Sequence, residues 1–191
     1  MSRIAFFYGT LMHPRILQRV IKNDGVHLEC CPAVLTDFTR HKVKGADYPG
    51  LIPYSKGKTL FDHPLTTEEK SVRGTVVKGL TEADLEALDR FEGDEYIRRP
   101  VQAHLLGPFV DVSTHGTRFN DLIPTHPPPL PENVDTSTQT LEVETYIYCD
   151  ETNLEADLWS FEDFVKNNAW KWYHSDKSRD LADLERAWAE M

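Results

Sequence analysis

The sequence predicts an α+β domain, and three observations carry that prediction. Apolar runs of strand length recur along the chain, at Ile4 to Tyr8, Val72 to Leu80 and Leu141 to Cys149, with the helical stretch Thr81 to Phe91 among them. Two glycines, Gly74 and Gly79, interrupt one strand, as happens at a bulge, a close approach or the corner of a small barrel. The chain has 191 residues, enough for one domain with a substantial core, so it reads as a single unit over 1–191.

The elements follow in order. Ile4 to Tyr8 is a buried strand, broken by Gly9-Thr10. Pro14 suits the first position of a helix that carries Ile16, Leu17 and Val20 at helical spacing, and Asn23-Asp24-Gly25 ends it. Val26 to Lys44 shows strand-like alternation. Pro49 and Pro53 confine Leu51-Ile52 to an edge strand or an ordered loop, and Ser55 to Lys70 reads as an exposed connection. Thr81 to Phe91 is the clearest helix. Thr81 is placed to cap it, Asp84 stands where a capping box has its acid, Leu80 and Leu85 form a hydrophobic staple, and Gly93 stops it. Tyr96 to Leu106 is a further strand. Gly107 to Thr138 has five prolines between Pro124 and Pro131 and no periodicity, so 107–138 is expected to be a Pro-rich insertion on the surface. From Glu151 onward, 151–191 is expected to be a helical C-terminal segment. Its aromatics, from Trp159 to Trp188, pack the core, and Leu181, Leu184 and Trp188 stand at helical spacing.

Composition excludes several functions. A formal net charge of −10 lacks the basic patches that nucleic acid or an anionic membrane surface requires. No apolar run reaches transmembrane length. The N-terminus runs into a strand without the regions of a signal peptide, and the three cysteines, Cys30, Cys31 and Cys149, form no disulfide framework, so a reducing, cytoplasmic setting is expected. No metal-binding or phosphate-cradling motif is present. The eight histidines are scattered and read as structural or exposed, so no cofactor and no metal is expected.

Two stretches have the makings of chemistry. The turn after the first strand, Tyr8-Gly9-Thr10-Leu11-Met12-His13, leads into a helix and so presents backbone N–H groups that favour an anion or a polarised carbonyl oxygen. The same residues also suit an ordinary strand-to-helix turn. In Asp89-Arg90-Phe91-Glu92-Gly93-Asp94-Glu95, Glu92 ends the helix beside its apolar stripe. A carboxylate at a helix C-terminus, partly buried next to Phe91, is pushed toward its neutral form, into the range of a general base. A solvated acid among acidic neighbours is the plainer alternative.

Phe7-Tyr8-Gly9-Thr10-Leu11-Met12, Tyr48-Pro49-Gly50, Val72-Arg73-Gly74, Leu88-Asp89-Arg90-Phe91-Glu92-Gly93 with Tyr96-Ile97-Arg98, and Val143 to Tyr148 followed by Trp159-Ser160-Phe161-Glu162, together resemble the γ-glutamylcyclotransferase-like family, in its avirulence-induced-gene-like branch. The resemblance does not extend over Gly107 to Thr138, and His13-Pro14 departs from the basic residue and Gly of many relatives. It implies a small mixed β-barrel flanked by helices and a cavity with the Tyr8 to His13 loop at its mouth. It implies Glu92 as the catalytic acid/base for cyclising a small-molecule γ-glutamyl amide to 5-oxoproline, with an amine released. By helix geometry, on a solvated helix Asp89, one turn from Glu92, points outward, and Asp94 and Glu95 lie past Gly93, outside the helix. Two alternatives stay open: a binder of an acidic small molecule without catalysis, and a cyclotransferase cleaving γ-glutamyl-lysine isopeptides. A nucleophilic cysteine lacks a flanking motif or an assignable histidine.

Overall fold

The computed structural model of the chain describes residues 3–111 and 140–173. Five strands close into a barrel: β1 (Arg3–Phe7), β2 (Glu29–Thr36), β5 (Ser71–Leu80), β6 (Tyr96–Leu105) and β8 (Thr140–Tyr148). Their order is β5-β1-β8-β6-β2, and a β2–β5 ladder seals the ring. The β1–β8 pairing is parallel and the others are antiparallel, so the barrel is mixed. Against its side lies a three-stranded sheet, β4-β3-β9, formed by β3 (Phe38–Val43), β4 (Pro49–Pro53) and β9 (Leu154–Leu158). The predicted strand over Val26 to Lys44 is therefore two, β2 and β3. They part at Asp37, whose φ of 59° turns the chain from the barrel into the second sheet.

Alternation along β1 builds both layers of the core. Phe6 and Tyr8 point into the barrel with Cys31, Leu35, Val72, Val76 and Val143. Ala5 and Phe7 point outward, under α1 (Pro14–Ile21) and α3 (Glu82–Glu92), where Ile16, Leu17, Leu85, Leu88 and Phe164 cover them. The capping box on α3 is complete: the Thr81 side chain accepts from the Asp84 N–H, and the Asp84 carboxylate accepts from the Thr81 N–H. Leu80 and Leu85 are both fully buried in the same cluster, as a staple requires. β1 and β5 slip register between Arg3 and Ile4, opposite Leu80 and Lys78, which makes Gly79 the extra residue of a bulge. β4 is an edge strand, one of the two forms its prolines allow, and Tyr54 to Lys70 holds the short helix α2 (Tyr54–Gly57) and a 3₁₀ turn.

The C-terminal expectation needs one correction. Residues 154–158 are strand β9 rather than helix, paired with β3 through His41–Leu158 and Val43–Leu154. Five residues with one buried side have little helix to gain and a free sheet edge to pair with, so the tertiary contact overrides local propensity. Among the described residues, helix follows at α4 (Phe161–Asn167) and α5 (Trp170–Tyr173). Trp159, Phe161 and Phe164 pack the core as expected. Of the predicted insertion, Val110–Asp111 forms a short strand, β7, on the edge of β2. Residues 112–138 of it, and the helical spacing of Leu181, Leu184 and Trp188, lie outside the described residues. No helix among those described is long and apolar enough to cross a membrane.

Candidate active site

A cavity of about 750 Å³ opens at one end of the barrel. Its walls come from five places distant in sequence: Phe6 to Leu11 at the end of β1, Tyr48-Pro49 at the entry to β4, Asp89 to Tyr96 at the junction of α3 and β6, Tyr146 of β8 and Trp172 of α5. Most of that surface is aromatic or aliphatic.

The loop after β1 is shaped by packing. After Tyr8 the chain makes a 3₁₀ turn, Thr10–Met12, with bonds from the Met12 N–H to the Gly9 carbonyl and from the His13 N–H to the Thr10 carbonyl, both 3.0 Å. The turn does not itself use the N–H groups of Gly9, Thr10 and Leu11, which are its opening donors. Glycine is needed at position 9 because a Cβ there would sit 2.8 Å from Cγ of Pro49. Tyr96 holds that proline from the other side, its hydroxyl donating to the Pro49 carbonyl at 2.9 Å. The Tyr-Pro-Gly stretch at 48–50 thus clamps the Tyr-Gly-Thr turn.

Glu92 is the last residue of α3. Gly93 follows with φ 59° and ψ −155°, a combination open essentially to glycine alone, and the chain swings through a 3₁₀ turn into β6. The carboxyl of Glu92 is thereby set against the cavity, facing the tyrosines. Burial is the chief cause that pushes it up to about 8, with the like charges of Glu95 and Asp89 adding to it.

Asp94 and Glu95 lie beyond the helix, in the 3₁₀ turn after it, as expected; Asp89 is exposed, as an outward-pointing acid should be, yet it lines the cavity, as do Asp94 and Glu95. The reason is geometric: Asp89 lies one turn before Glu92 on the same helical face, and the turn after Gly93 brings Glu95 back toward it. What separates these acids from Glu92 is partnering. Asp89 accepts from the Tyr146 hydroxyl at 2.7 Å and pairs with the Arg98 guanidinium at 3.3 Å. Glu95 accepts from the Tyr48 hydroxyl at 2.9 Å. Asp94 is solvent-exposed. Glu92 alone combines enclosure in the cavity with the lack of any hydrogen bond or ion pair to its carboxyl among the described residues.

Burial also raises the tyrosines. Tyr8, Tyr96 and Tyr146 are held above their usual range chiefly by desolvation, as is Tyr48, where the bond to Glu95 adds. All four remain neutral donors at neutral pH, and Tyr8 spends its proton on the Tyr146 carbonyl at 2.7 Å.

Of the residues expected at the site, Tyr8, Gly9, Thr10, Leu11 and Glu92 do meet in this cavity. Met12 and His13 are not part of its lining. The 3₁₀ turn carries Met12 to the far side, against a void of about 30 Å³ shared with Leu17 and Val77. His13 is buried as the residue before α1, and burial lowers its imidazole to about 4, so it is neutral in this setting. Tyr48, Tyr96 and Tyr146 escape sequence reasoning as site residues, although all three stand in stretches that carry the family resemblance. Among the described residues no group of three or more metal-ligating side chains is assembled.

A closed, five-stranded mixed barrel flanked by helices is a cyclotransferase-type fold. The chain belongs to the family described as gamma-glutamyl cyclotransferase, AIG2-like, whose model matches residues 5–115. It is 34% identical over 100 residues to AIG2-like protein C of Arabidopsis thaliana, a match covering 52% of this chain and 49% of that protein, so this chain spans about half the length of that relative. It is 26% identical over 171 residues to AIG2-like protein D of the same plant, covering 90% of this chain and 80% of the relative. The solution structure of At3g28950.1 from Arabidopsis thaliana superposes with a TM-score of 0.51 at 21% identity, over 97% of this chain and 85% of that one, a likeness of fold.

Proposed function

We propose that the protein cyclises a γ-glutamyl amide to 5-oxoproline and releases an amine, with Glu92 as general acid and base. The observation that carries the proposal is the Glu92 carboxyl, pushed up to about 8 in a cavity that the turn residues Gly9 to Leu11 also line.

The chemistry asks for two proton movements. The α-amine of the substrate must attack the γ-carbonyl carbon to close a five-membered ring, and as an ammonium it cannot. Glu92, ionised, takes that proton. A carboxyl at about 8 titrates close to amines, so the transfer is nearly balanced in both directions. As the ring closes, the γ-carbonyl oxygen becomes an oxyanion, and backbone N–H groups at Gly9 to Leu11 donate to it and stabilise its charge. One such donor contributes about 3 kcal/mol in other acyl-transfer sites. Glu92 then returns the proton to the departing nitrogen, the C–N bond breaks, the ring nitrogen gives up its second proton to the expelled amine, and 5-oxoproline and an ammonium remain. Asp89 and Glu95, already committed to Tyr146, Arg98 and Tyr48, are poorly placed for this work.

Incubation with a panel of γ-glutamyl dipeptides, glutathione and γ-glutamyl-lysine, scored for 5-oxoproline, tests the reading. Release from at least one of them by the wild type, and its loss in Glu92→Gln, is the expected result. Binding of 5-oxoproline or glutamate with no turnover of any compound would replace the enzyme with a binding protein.

A further inference from the structure

Behind the loop, on the side away from the cavity, lies Arg40 of β3. It does not line the cavity. Its Nη1 donates to the Tyr8 carbonyl at 2.7 Å and to the Arg73 carbonyl at 3.3 Å, and its Nε donates to the Trp159 carbonyl at 3.2 Å. The guanidinium also sits over the Trp159 ring, 5.0 Å from its centroid, and the Trp159 backbone N–H bonds back to the Arg40 carbonyl. No carboxylate among the described residues pairs with it. This is a cation held by three carbonyls and an indole.

The consequence lies in one peptide unit. The Tyr8–Gly9 bond is trans, so its C=O and N–H point in opposite directions. Arg40 holds the oxygen on the outer side, and the Gly9 N–H is thereby turned toward the cavity that Gly9 lines. The N–H makes no backbone hydrogen bond among the described residues. A charge-assisted bond at the oxygen also polarises the peptide and strengthens the donor at its other end. Pro49, packed against Gly9, blocks rotation of the unit from the side.

We propose that Arg40 is a positioning residue that fixes and polarises the Tyr8–Gly9 peptide, so that the Gly9 N–H is a preset donor to the developing oxyanion. The assignment to an oxyanion rests on the cyclotransferase reading; the control of the peptide by Arg40 does not. A donor needed more in the transition state than in the ground state acts on kcat rather than KM. Loss of a whole oxyanion donor costs about 10²- to 10³-fold in kcat elsewhere, and Arg40 acts on one donor at one remove. Arg40→Met is therefore expected to lower kcat by about 10- to 100-fold with KM within about threefold, while Arg40→Lys, which keeps a cation near the carbonyl, recovers most of the loss.

The second readout requires no turnover. In ¹⁵N-labelled protein the Gly9 amide proton is expected to move upfield in Arg40→Met and to return toward its wild-type position in Arg40→Lys. If Arg40→Met fails to fold, Arg40→Gln against Arg40→Lys makes the same comparison of neutral donor with cation. A Gly9 amide that ignores the loss of the cation overturns the proposal, and so does an active Arg40→Met enzyme with unchanged kcat or a change confined to KM. If the wild type forms no 5-oxoproline from any compound, the cyclotransferase reading fails, and the amide comparison alone decides whether Arg40 governs the peptide.

Discussion

Replacing Glu92 by Gln removes an ionisation that the fold resists, and the effect is readable in stability as well as in turnover. Glu92 is raised from 4.5 to about 8, chiefly by burial. Below pH 4.5 the carboxyl is protonated whether the chain is folded or not, and Glu and Gln are close to equivalent. Between 4.5 and about 8 the folded chain keeps the proton while the unfolded chain has lost it, so the native state binds more protons and stability falls as pH rises. Above about 8 the full difference has been lost. At 1.36 kcal/mol per pH unit it amounts to about 5 kcal/mol, and the part of the side chain still accessible through the cavity reduces that to about 2–4 kcal/mol. Glu92→Gln should thus match the wild type near pH 4.5 and exceed it by about 2–4 kcal/mol at pH 9. Urea unfolding of both proteins across that range, followed by far-ultraviolet circular dichroism, measures the difference, and the other titrating groups cancel between the two chains. Parallel curves would mean that Glu92 titrates like a solvated acid and that the argument for it as the base has lost its physical ground.

Turnover gives a parallel test. Glu92→Gln should cost at least about 10²- to 10⁴-fold in 5-oxoproline release while ligand binding survives, whereas Asp89→Asn and Glu95→Gln should stay within about tenfold; a dead Glu95→Gln beside an active Glu92→Gln would move the base to Glu95. Because Glu95 contributes to holding Glu92 up, Glu95→Gln should also shift the acidic limb of kcat/KM against pH to lower pH, seen in a pH–rate profile on the best substrate; a limb that stays put refutes that coupling. Gly9→Ala places a methyl 2.8 Å from Pro49 Cγ and is expected to lower stability by about 1–3 kcal/mol and to depress turnover by displacing the turn; a fully stable, fully active variant would show that the clamp is soft.

The parts of this molecule that are legible in the sequence are those fixed by neighbours along the chain. The α3 helix is complete in its own signals, from the Thr81–Asp84 capping box to Gly93, and so the residues alone put Glu92 at a helix end. The Gly79 bulge and the β4 edge strand are each one of the few forms their glycines and prolines leave open. β9 is not legible in the same way, because its identity depends on β3, more than a hundred residues before it, and nothing inside Leu154–Leu158 announces a partner.

The four acids between Asp89 and Glu95 make the same point at the site. All are carboxylates in one short stretch, and local sequence orders them only by distance from Phe91. Their chemistry is decided by what arrives from elsewhere: Tyr146 and Arg98 for Asp89, Tyr48 for Glu95, and for Glu92 a wall of tyrosines that lend no proton and no cation. A buried carboxyl without a partner is costly to ionise, and a fold built only for stability would have supplied one, as it did for Asp84 with Thr81 and Asn23. The absence of such a partner at Glu92 among the described residues, in the cavity that Gly9, Thr10 and Leu11 also line, is the physical reason to propose the proton chemistry there and not one turn away.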